Sequence, residues 1–243
     1  MLTVRGSVGV LPLMLGLSEE YNKSKNVSCE IDVSAVGGSS ALEMIASNKA
    51  DLAMTEESAG ELPAGASGVV FAYEAVAIVI NPSCGLTDLS SEQIRGIFSG
   101  ESDEWADFGG KGKITLVVPE QDNGFRKYFE ETFSLRAPIS GIMQSLIPAG
   151  AVVSSDPEGE VTKTEGAIGI CSAAALIHAE NTVSVNGVAL SEQTLKDGSY
   201  GAGRAILLVM GKEPRDDVQS FYDFCLSDKA RKLTKSIGFM PVE

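Results

Sequence analysis

Short apolar segments alternate with amphipathic ones along the first third of the chain. The segments "LTVRGSVGV", "VSCEIDVSAV" and "ADLAMT" have the alternating, β-branched character of strands. Between them, "LPLMLGLSEEYNKS" and "SALEMIASNK" place apolar residues three or four positions apart, which is typical of amphipathic helices. This β-α-β-α-β order predicts an α/β fold with a largely parallel sheet.

The remainder of the chain continues the pattern. The long apolar run "VVFAYEAVAIVINP" could link two lobes, and "KITLVVP", "EGAIGICSAAAL" and "GRAILLVM" are predicted strands. Helices are predicted in "LSSEQIRGIF", with Ser90 and Gln93 as a capping box, and in "NGFRKYFEETF". The segment "DDVQSFYDFCLSDKARKLTKSIG" indicates a helix with a break near residues 226–227, and the Asn-Gly in "TVSVNGVAL" is compatible with a hairpin.

Composition and charge narrow the possible functions. A chain of 243 residues is long enough for one large or two modest domains, and its 44% hydrophobic and 21% charged content is that of a globular protein. A net charge of −14 disfavours nucleic acid as a partner, because phosphate backbones require clustered Lys and Arg. The longest apolar run contains Glu74 and is too short to span a bilayer.

The residues that commonly carry enzymatic or metal chemistry are sparse. The four cysteines are Cys29, Cys84, Cys171 and Cys225; they lie far apart with no CxxC, so zinc is not expected. We expect reduced core thiols, with a disulfide left open for an oxidising compartment. The chain has one histidine, His178, and no HExxH, Walker A or GxGxxG motif. We therefore expect neither an enzyme nor a cofactor, and catalysis through Cys171 or His178 is the weakest of the hypotheses.

Four predicted strands end in small or polar residues that lead into a helix or loop. These turns are "RGSVGVLP" at residues 5–12, "VGGSSALE" at 36–43, "AMTEESAG" at 53–60 and "PEQDNGFR" at 119–126. Each has a simpler explanation by itself, such as helix capping by Ser39 or Asn123, or a solvated loop around Glu56 and Glu57. Together they predict an anion site, since converging helix N-termini create positive potential without net positive charge.

The order of these motifs resembles that of the PstS-like phosphate-binding proteins, the substrate-binding proteins of phosphate-type ABC transporters. The resemblance covers nearly the whole chain. It rests on "GSVGVLPL", "VGGSSALEMIASNKADLAMT", "LSSEQIRGIFSGESDEWADFGGKGKITLVV", "GAIGI" and "FCLSDKARKLTKSIGFMPV". The third segment is the most diagnostic, because it is similar to the family's long helix-to-tryptophan motif.

The resemblance implies a two-lobed α/β fold of the type II periplasmic-binding-protein kind, with mixed, mostly parallel sheets and flanking helices. Two hinge crossovers are expected near residues 72–81 and 170–175, so that residues 1–76 and 173–243 form lobe 1 and residues 77–172 form lobe 2. The implied function is to clamp a small oxyanion, phosphate or a similar ion, between the lobes and deliver it to an ABC permease.

The resemblance also bears on where the protein works. No signal peptide is recognisable, which leaves a cytosolic protein or a mature N-terminus as alternatives. The family favours an extracytoplasmic, lipid-anchored protein that meets the membrane only through an anchor upstream.

The resemblance further implies a set of binding residues, with backbone N–H groups contributing in the first loop and Glu56 accepting a proton of the ligand. The set is Ser7, Gly9, Val10, Ser39, Ser40, Thr55, Glu56, Asn123, Gly124, Phe125 and Arg126.

The fourth turn departs from the family pattern. Pro119 stands where the family has arginine, Asn123 where it has serine, and Phe125 where it has threonine. The alternative is therefore a similar fold adapted to another solute or to a sensing or surface role. Arg126 turned towards the ligand would favour an anion, whereas it could instead pair with Glu130 at i+4. Glu120 or Asp122 turned inward would oppose an anion.

Overall fold

The computed structural model describes residues 1–25, 29–56 and 60–242, the side chain of Lys25 excepted. Two compact units are present. The first contains Met1–Glu74 and Arg204–Glu243, and the second is Ala75–Gly203. The chain thus passes between the units twice, after Glu74 and after Gly203.

The strands of the described residues are β1 (Leu2–Gly6), β2 (Ile31–Ala35), β3 (Leu52–Glu56), β4 (Ser67–Ile80), β5 (Asp88–Leu89), β6 (Thr115–Val118), β7 (Arg136–Ile139), β8 (Ile142–Ser145), β9 (Val152–Val153), β10 (Ala167–Ser172), β11 (Ser184–Val185), β12 (Gly203–Met210) and β13 (Met240–Pro241). The α-helices are α1 (Leu11–Lys25), α2 (Gly38–Ala46), α3 (Ser91–Phe98), α4 (Gly124–Thr132), α5 (Pro157–Lys163), α6 (Glu192–Lys196), α7 (Asp216–Cys225) and α8 (Asp228–Ile237).

The first unit is built on a mixed sheet in the order β2-β1-β3-β12-β4, with β13 added on β4. Strands β1, β2 and β3 are parallel, so their carboxyl ends lie at one edge of the sheet. Strand β12 is antiparallel to β3, with Ile206 opposite Glu56, so β12 begins at that same edge. The segments that follow β1 and β2 therefore lie at the sheet edge where β12 begins.

Apolar side chains of the helices cover this sheet. Ala41, Leu42 and Ile45 of α2 pack with Ala53 and Val209 in one buried cluster. On the other helices, Tyr21 meets Phe221 edge to face with ring centroids 5.1 Å apart. The predicted amphipathic periodicity of "SALEMIASNK" corresponds to the face that α2 buries.

The second unit contains the sheet formed by β10, the residues of β4 from Ala75 onward, β6 and β9. Strand β10 pairs antiparallel with β4 and parallel with β6, and β9 continues the sheet in parallel. Strands β7 and β8 form an antiparallel hairpin. The fully buried Trp105 donates its Nε1–H to the Gly166 carbonyl at 2.8 Å, which ties the diagnostic segment to the start of β10.

Helix termini follow local sequence signals closely. Ser90 and Gln93 form the predicted capping box of α3, and Asn123 caps α4. The predicted break near residues 226–227 is confirmed, because Ser227 caps α8 immediately after α7 ends. Helix α2 begins earlier than expected: its N-cap is Gly37 at φ 86°, so Ser39 lies inside the first turn and the suggestion that Ser39 caps the helix is wrong.

The Asn-Gly of "TVSVNGVAL" forms a tight turn and not a full hairpin. Asn186 and Gly187 have φ angles of 52° and 78°, as a two-residue primed turn requires, and Val185 and Val188 form a single bridge across it. Strand β11 instead pairs in parallel with β5.

Residues 173–203 belong to the second compact unit, although the sequence analysis assigned them to lobe 1. They are held there by β11 on β5, by the Val183 N–H bond to the Ile78 carbonyl at 3.0 Å and by the Tyr200 hydroxyl bond to the Val76 carbonyl at 2.9 Å. The second passage between units accordingly lies at Gly203 and Arg204. Which segments move as lobes stays a prediction.

All four cysteines are free thiols, and Cys84, Cys171 and Cys225 are buried. Burial raises the pKa of the Cys171 thiol to about 12, and the carboxylates of Glu158 and Asp156 act in the same direction. Burial also raises the pKa of Cys84 and Cys225. The described residues contain no helix that is both long and apolar enough to cross a membrane.

Replacement of Ser90 by alanine tests the capping box. Ser90→Ala removes the acceptor for the Gln93 N–H, whose bond is 3.1 Å long, and we expect a loss of about 0.5–2 kcal/mol in the free energy of unfolding. Ser90→Gly is the matched control, with an expected loss of a few tenths of a kcal/mol. Urea denaturation measures both. Alanine and glycine variants as stable as the wild type would contradict this account.

Thiol titration tests cysteine burial. With a disulfide reagent at pH 8, we expect Cys29 to react quickly, because it is the one cysteine that is not buried. A pKa of about 12 leaves roughly one Cys171 thiol in ten thousand ionised at that pH. The three buried thiols should therefore react only in denaturant. Reaction of Cys171 in the native protein at the rate of Cys29 would contradict the described burial.

Candidate functional site

A buried serine hydroxyl lies at the carboxyl edge of the first unit's sheet. Ser7 follows β1 and precedes a short 3-10 helix, Val8–Val10. The Ser7 side chain is buried, and its Oγ has no hydrogen-bond partner among the described residues. An unpaired buried hydroxyl costs about 1–3 kcal/mol of desolvation, so its retention points to a ligand as the missing partner.

Backbone bonds hold the turn that carries Ser7. The Ser7 N–H donates to the Met54 carbonyl at 3.3 Å, and the Val10 N–H donates to the Ser7 carbonyl at 3.2 Å. The Val10 N–H, predicted as a ligand donor, is thus engaged within the turn. A Cβ at Gly6 would overlap the Met54 carbonyl, so glycine there permits β1 and β3 to approach closely.

An ion cluster lies at the same edge. Arg204 Nε is 2.7 Å from Glu74 Oε2, and Arg204 Nη1 is 3.4 Å from Glu56 Oε1. The Glu74 side chain is 2% exposed, that of Glu56 12% and that of Arg204 26%. A carboxylate as buried as Glu74 requires a cation, and Arg204 supplies it while part of its guanidinium still reaches solvent.

Gly9 connects the Ser7 turn to the ion cluster. A Cβ built on Gly9 would lie 3.0 Å from Arg204 Nη2 and 3.7 Å from Glu56 Oε1. The guanidinium therefore lies next to the space that a side chain at position 9 would occupy. Ser7, Gly9, Glu56 and Arg204 form one constellation within the first unit.

The remaining predicted residues of the first unit lie at this edge as well. Ser39 and Ser40 are exposed in the first turn of α2, which follows β2, and Ala35 of β2 is opposite Gly6 of β1. Thr55 is fully buried, with its Oγ1 3.5 Å from Glu56 Oε2. Glu57 lies outside the described residues.

The predicted residues of the second unit surround the start of α4. Asn123 Oδ1 accepts the Arg126 N–H at 3.1 Å, Gly124 is the first helical residue, and Phe125 is half-buried. Because Asn123 caps the helix, its side-chain oxygen is engaged with the backbone. Glu120 and Asp122 in the preceding turn are exposed.

Arg126 is buried and pairs along its own helix, as the sequence allowed. Its Nε is 2.9 Å from Glu130 Oε1, and its Nη1 donates to the Pro119 carbonyl at 2.8 Å. Glu130 is 1% exposed and also accepts the Ser145 hydroxyl at 2.8 Å. Arg126 thus neutralises a buried carboxylate and fixes the turn that contains Pro119.

Sequence reasoning missed Arg204 and did not give Glu74 a role. Glu74 was visible as the charge that interrupts the apolar run of β4, and a buried charge within a strand indicates a nearby partner. The partner could not be located, because the antiparallel placement of β12 beside β3 is a long-range feature of the sheet.

Cys171 and His178, the residues considered for catalysis, lie in different environments. Burial keeps the Cys171 thiol protonated, as its pKa of about 12 indicates. The His178 side chain is 51% exposed and lies 3.3 Å from the exposed Glu180 carboxylate. In the described ranges, no three His, Cys, Asp or Glu residues are grouped so as to hold a metal ion.

This chain is similar to several known proteins over nearly its whole length. The PBP superfamily domain matches residues 1–229. The chain is 26% identical over 99% of its length to the phosphate-binding protein PstS of Bacillus subtilis, of which it covers 80%. It is 24% identical over 99% of its length to the PstS of Borreliella burgdorferi, of which it covers 90%.

A solved structure shows the same arrangement of elements. The structure of an ABC-type phosphate transport receptor from Vibrio cholerae matches with a TM-score of 0.73 and 25% identity, over 98% of both chains. The predicted fold class, an α/β fold of the type II periplasmic-binding-protein kind, is confirmed. The chain belongs to the PBP superfamily, and along its length it is similar to PstS phosphate-binding proteins.

Proposed function

We propose that this chain is the solute-binding component of a phosphate-type ABC importer and that it binds a small oxyanion, with phosphate as the first candidate. The unpartnered Ser7 hydroxyl carries the proposal, because it is a buried donor at the sheet edge where the family resemblance implies a ligand site. The names of the similar proteins, PstS phosphate-binding proteins and a phosphate transport receptor, support the same ligand class.

The chemistry of the first unit suits a protonated oxyanion. The Ser7 hydroxyl can donate to a ligand oxygen, and the first-turn N–H groups of α2 add donors and a positive helix end. Glu56 can accept a hydrogen bond from the ligand only if the ligand oxygen that faces it carries a proton. A hydrogen phosphate ion has such an oxygen, whereas sulfate at neutral pH does not.

The contribution of the second unit stays a prediction. Asn123, Gly124, Phe125 and Arg126 lie at the N-terminus of α4. The helix end offers backbone donors, while the Arg126 guanidinium bonds Glu130 and the Pro119 carbonyl. We propose that this turn binds the ligand through its backbone and not through Arg126.

The alternative functions are less well supported. Similarity to phosphate-binding proteins along 99% of the chain favours transport of an oxyanion over a sensing or surface role. The protonated Cys171 thiol supports a non-enzymatic protein. An extracytoplasmic location, an ABC permease as partner and a lipid anchor upstream remain part of the proposal.

Calorimetric titration tests the ligand class. We expect phosphate to bind and sulfate to bind much more weakly, because an ionised Glu56 repels an anion that has no proton to donate. Glu56→Gln should narrow the difference between the two affinities by about tenfold or more. Glu19→Gln, at an exposed position of α1, is the control and should leave both affinities unchanged.

A thermal-unfolding screen with several oxyanions shows which result would contradict the proposed function. A ligand at about one hundred times its Kd adds about 2.7 kcal/mol of stability. Absence of both heat and thermal shift with phosphate, sulfate, molybdate and tungstate would overturn the proposed function.

Replacement of Ser7 by alanine separates binding from stability. Ser7→Ala should weaken phosphate binding about tenfold, while the unliganded protein should keep or gain stability, because the hydroxyl has no partner to lose among the described residues. Ser18→Ala is the matched control: the Ser18 hydroxyl donates to the Met14 carbonyl at 2.8 Å, so its loss should lower stability slightly and leave binding intact.

Calorimetry and thermal unfolding measure the two effects of the serine replacements. A Ser7→Ala variant that loses stability but keeps its phosphate affinity would show that the hydroxyl has a structural role and would contradict the assignment.

A further inference from the structure

The proposed oxyanion site lacks an obvious cationic side chain in its fourth turn. Pro119 occupies the position where the resemblance implies an arginine. The nearby Arg126 is 7% exposed and bonds the buried Glu130 carboxylate. Turning Arg126 towards a ligand would leave Glu130, which is 1% exposed, with the longer contact to Arg136 Nη1 at 3.5 Å, and weakening a buried ion pair is costly.

The first unit supplies a guanidinium from a different strand. Because β12 runs antiparallel to β3 with Ile206 opposite Glu56, Arg204 lies just beyond the carboxyl end of β3. This is the edge at which Ser7 follows β1. The sheet topology therefore places Arg204 at the same edge as the unpartnered Ser7 hydroxyl.

The contacts of Arg204 are unequal. Its Nε is 2.7 Å from Glu74 Oε2, a short charge-assisted hydrogen bond, whereas its Nη1 is 3.4 Å from Glu56 Oε1, beyond the usual hydrogen-bond range. The Glu74 side is the firm attachment. Nη2 also contacts Glu74 Oε2, so Nη1 is the atom that faces Glu56, and the side chain is 26% exposed.

We propose that Arg204 supplies the guanidinium that contacts the bound oxyanion, and that Glu74 is the residue that positions it. This inference rests on the proposed function. Glu74 holds Nε at the base of the site, and Nη1 moves from its long contact with Glu56 to a ligand oxygen. Glu56 is then available to accept a hydrogen bond from a neighbouring protonated oxygen of the ligand.

The pairing of Arg204 with Glu56 defines the ligand class more narrowly. A cationic donor beside an anionic acceptor is complementary to an oxyanion that has one unprotonated and one protonated oxygen. Monohydrogen phosphate and arsenate have this pattern.

The test compares variants of Arg204 in the full chain by phosphate calorimetry. Arg204→Met should weaken phosphate binding about tenfold to a hundredfold, the loss expected for one charge-assisted contact. Arg215→Met is the matched control, because Arg215 in the first unit also contacts two acids, with Nη1 2.8 Å from Asp51 and Nε 3.1 Å from Asp217. We expect this control to bind phosphate as the wild type does.

A double variant separates direct contact from charge balance. Arg204→Met leaves the carboxylate of buried Glu74 without its close cation, and this alone could impair folding or repel the ligand. Combining it with Glu74→Gln removes that charge and should recover thermal stability. If Arg204 contacts the ligand, the double variant should still bind phosphate at least about tenfold more weakly than Glu74→Gln alone.

Each outcome decides a different point. A double variant that binds phosphate as tightly as Glu74→Gln alone, or an Arg204→Met variant with wild-type affinity, would overturn the inference while leaving the proposed function intact. Failure of the wild type to bind phosphate would overturn this inference, and failure to bind any of the four oxyanions would overturn the proposed function as well. Reduced affinity in the double variant with normal thermal unfolding supports the contact.

Discussion

The buried carboxylate of Glu74 imposes the strongest constraint on this structure. It lies within β4, a strand that is continuously buried from Phe71 to its end. Removing one partner of a buried ion pair costs about 3–5 kcal/mol, so the position of Glu74 fixes the position of Arg204. These two residues are also those at which the chain leaves and re-enters the first unit. The Glu74–Arg204 ion pair therefore joins the residue at which the chain leaves the first unit to the residue at which it returns.

The same constraint organises the candidate site. A guanidinium held by Glu74 must lie at the edge where β12 begins, and β3 and β1 end there. The absence of a side chain at Gly9 leaves space beside the guanidinium, and the Glu56 carboxylate lies 3.4 Å from Arg204 Nη1. A net charge of −14 is compatible with an anion ligand under these conditions, because one guanidinium, one hydroxyl and helix N-termini act at short range. In the second unit, the buried Glu130 carboxylate likewise pairs with an arginine, Arg126, and this pair has a structural role.

Features that depend on neighbouring residues could be predicted from the sequence. The capping box of Ser90 and Gln93, the Asn123 cap and the division between α7 and α8 at Ser227 all arise within a few positions of the chain. The PstS-like motifs fixed the fold class in the same way, since they span nearly the whole chain.

Features that depend on distant pairing could not be predicted. The assignment of residues 173–203 required the partner of β11, and the role of Arg204 required the direction of β12 beside β3. The predicted start of α2 was wrong because Gly37 has a positive φ. Glycine permits this angle, but the sequence alone does not show that it is adopted at this position. The charge of Glu74 within an apolar run was the one sign in the sequence of the ion cluster around Arg204. It indicated a buried acid but did not identify Arg204 as its partner.

A crystal structure of the protein grown with phosphate would show whether Ser7 and Arg204 contact the ligand. We expect an oxyanion within hydrogen-bond distance of both Ser7 Oγ and an Nη atom of Arg204, with the Arg204 Nε bond to Glu74 retained. An oxyanion bound without contact to either residue, with Arg204 still directed at Glu56, would contradict this expectation.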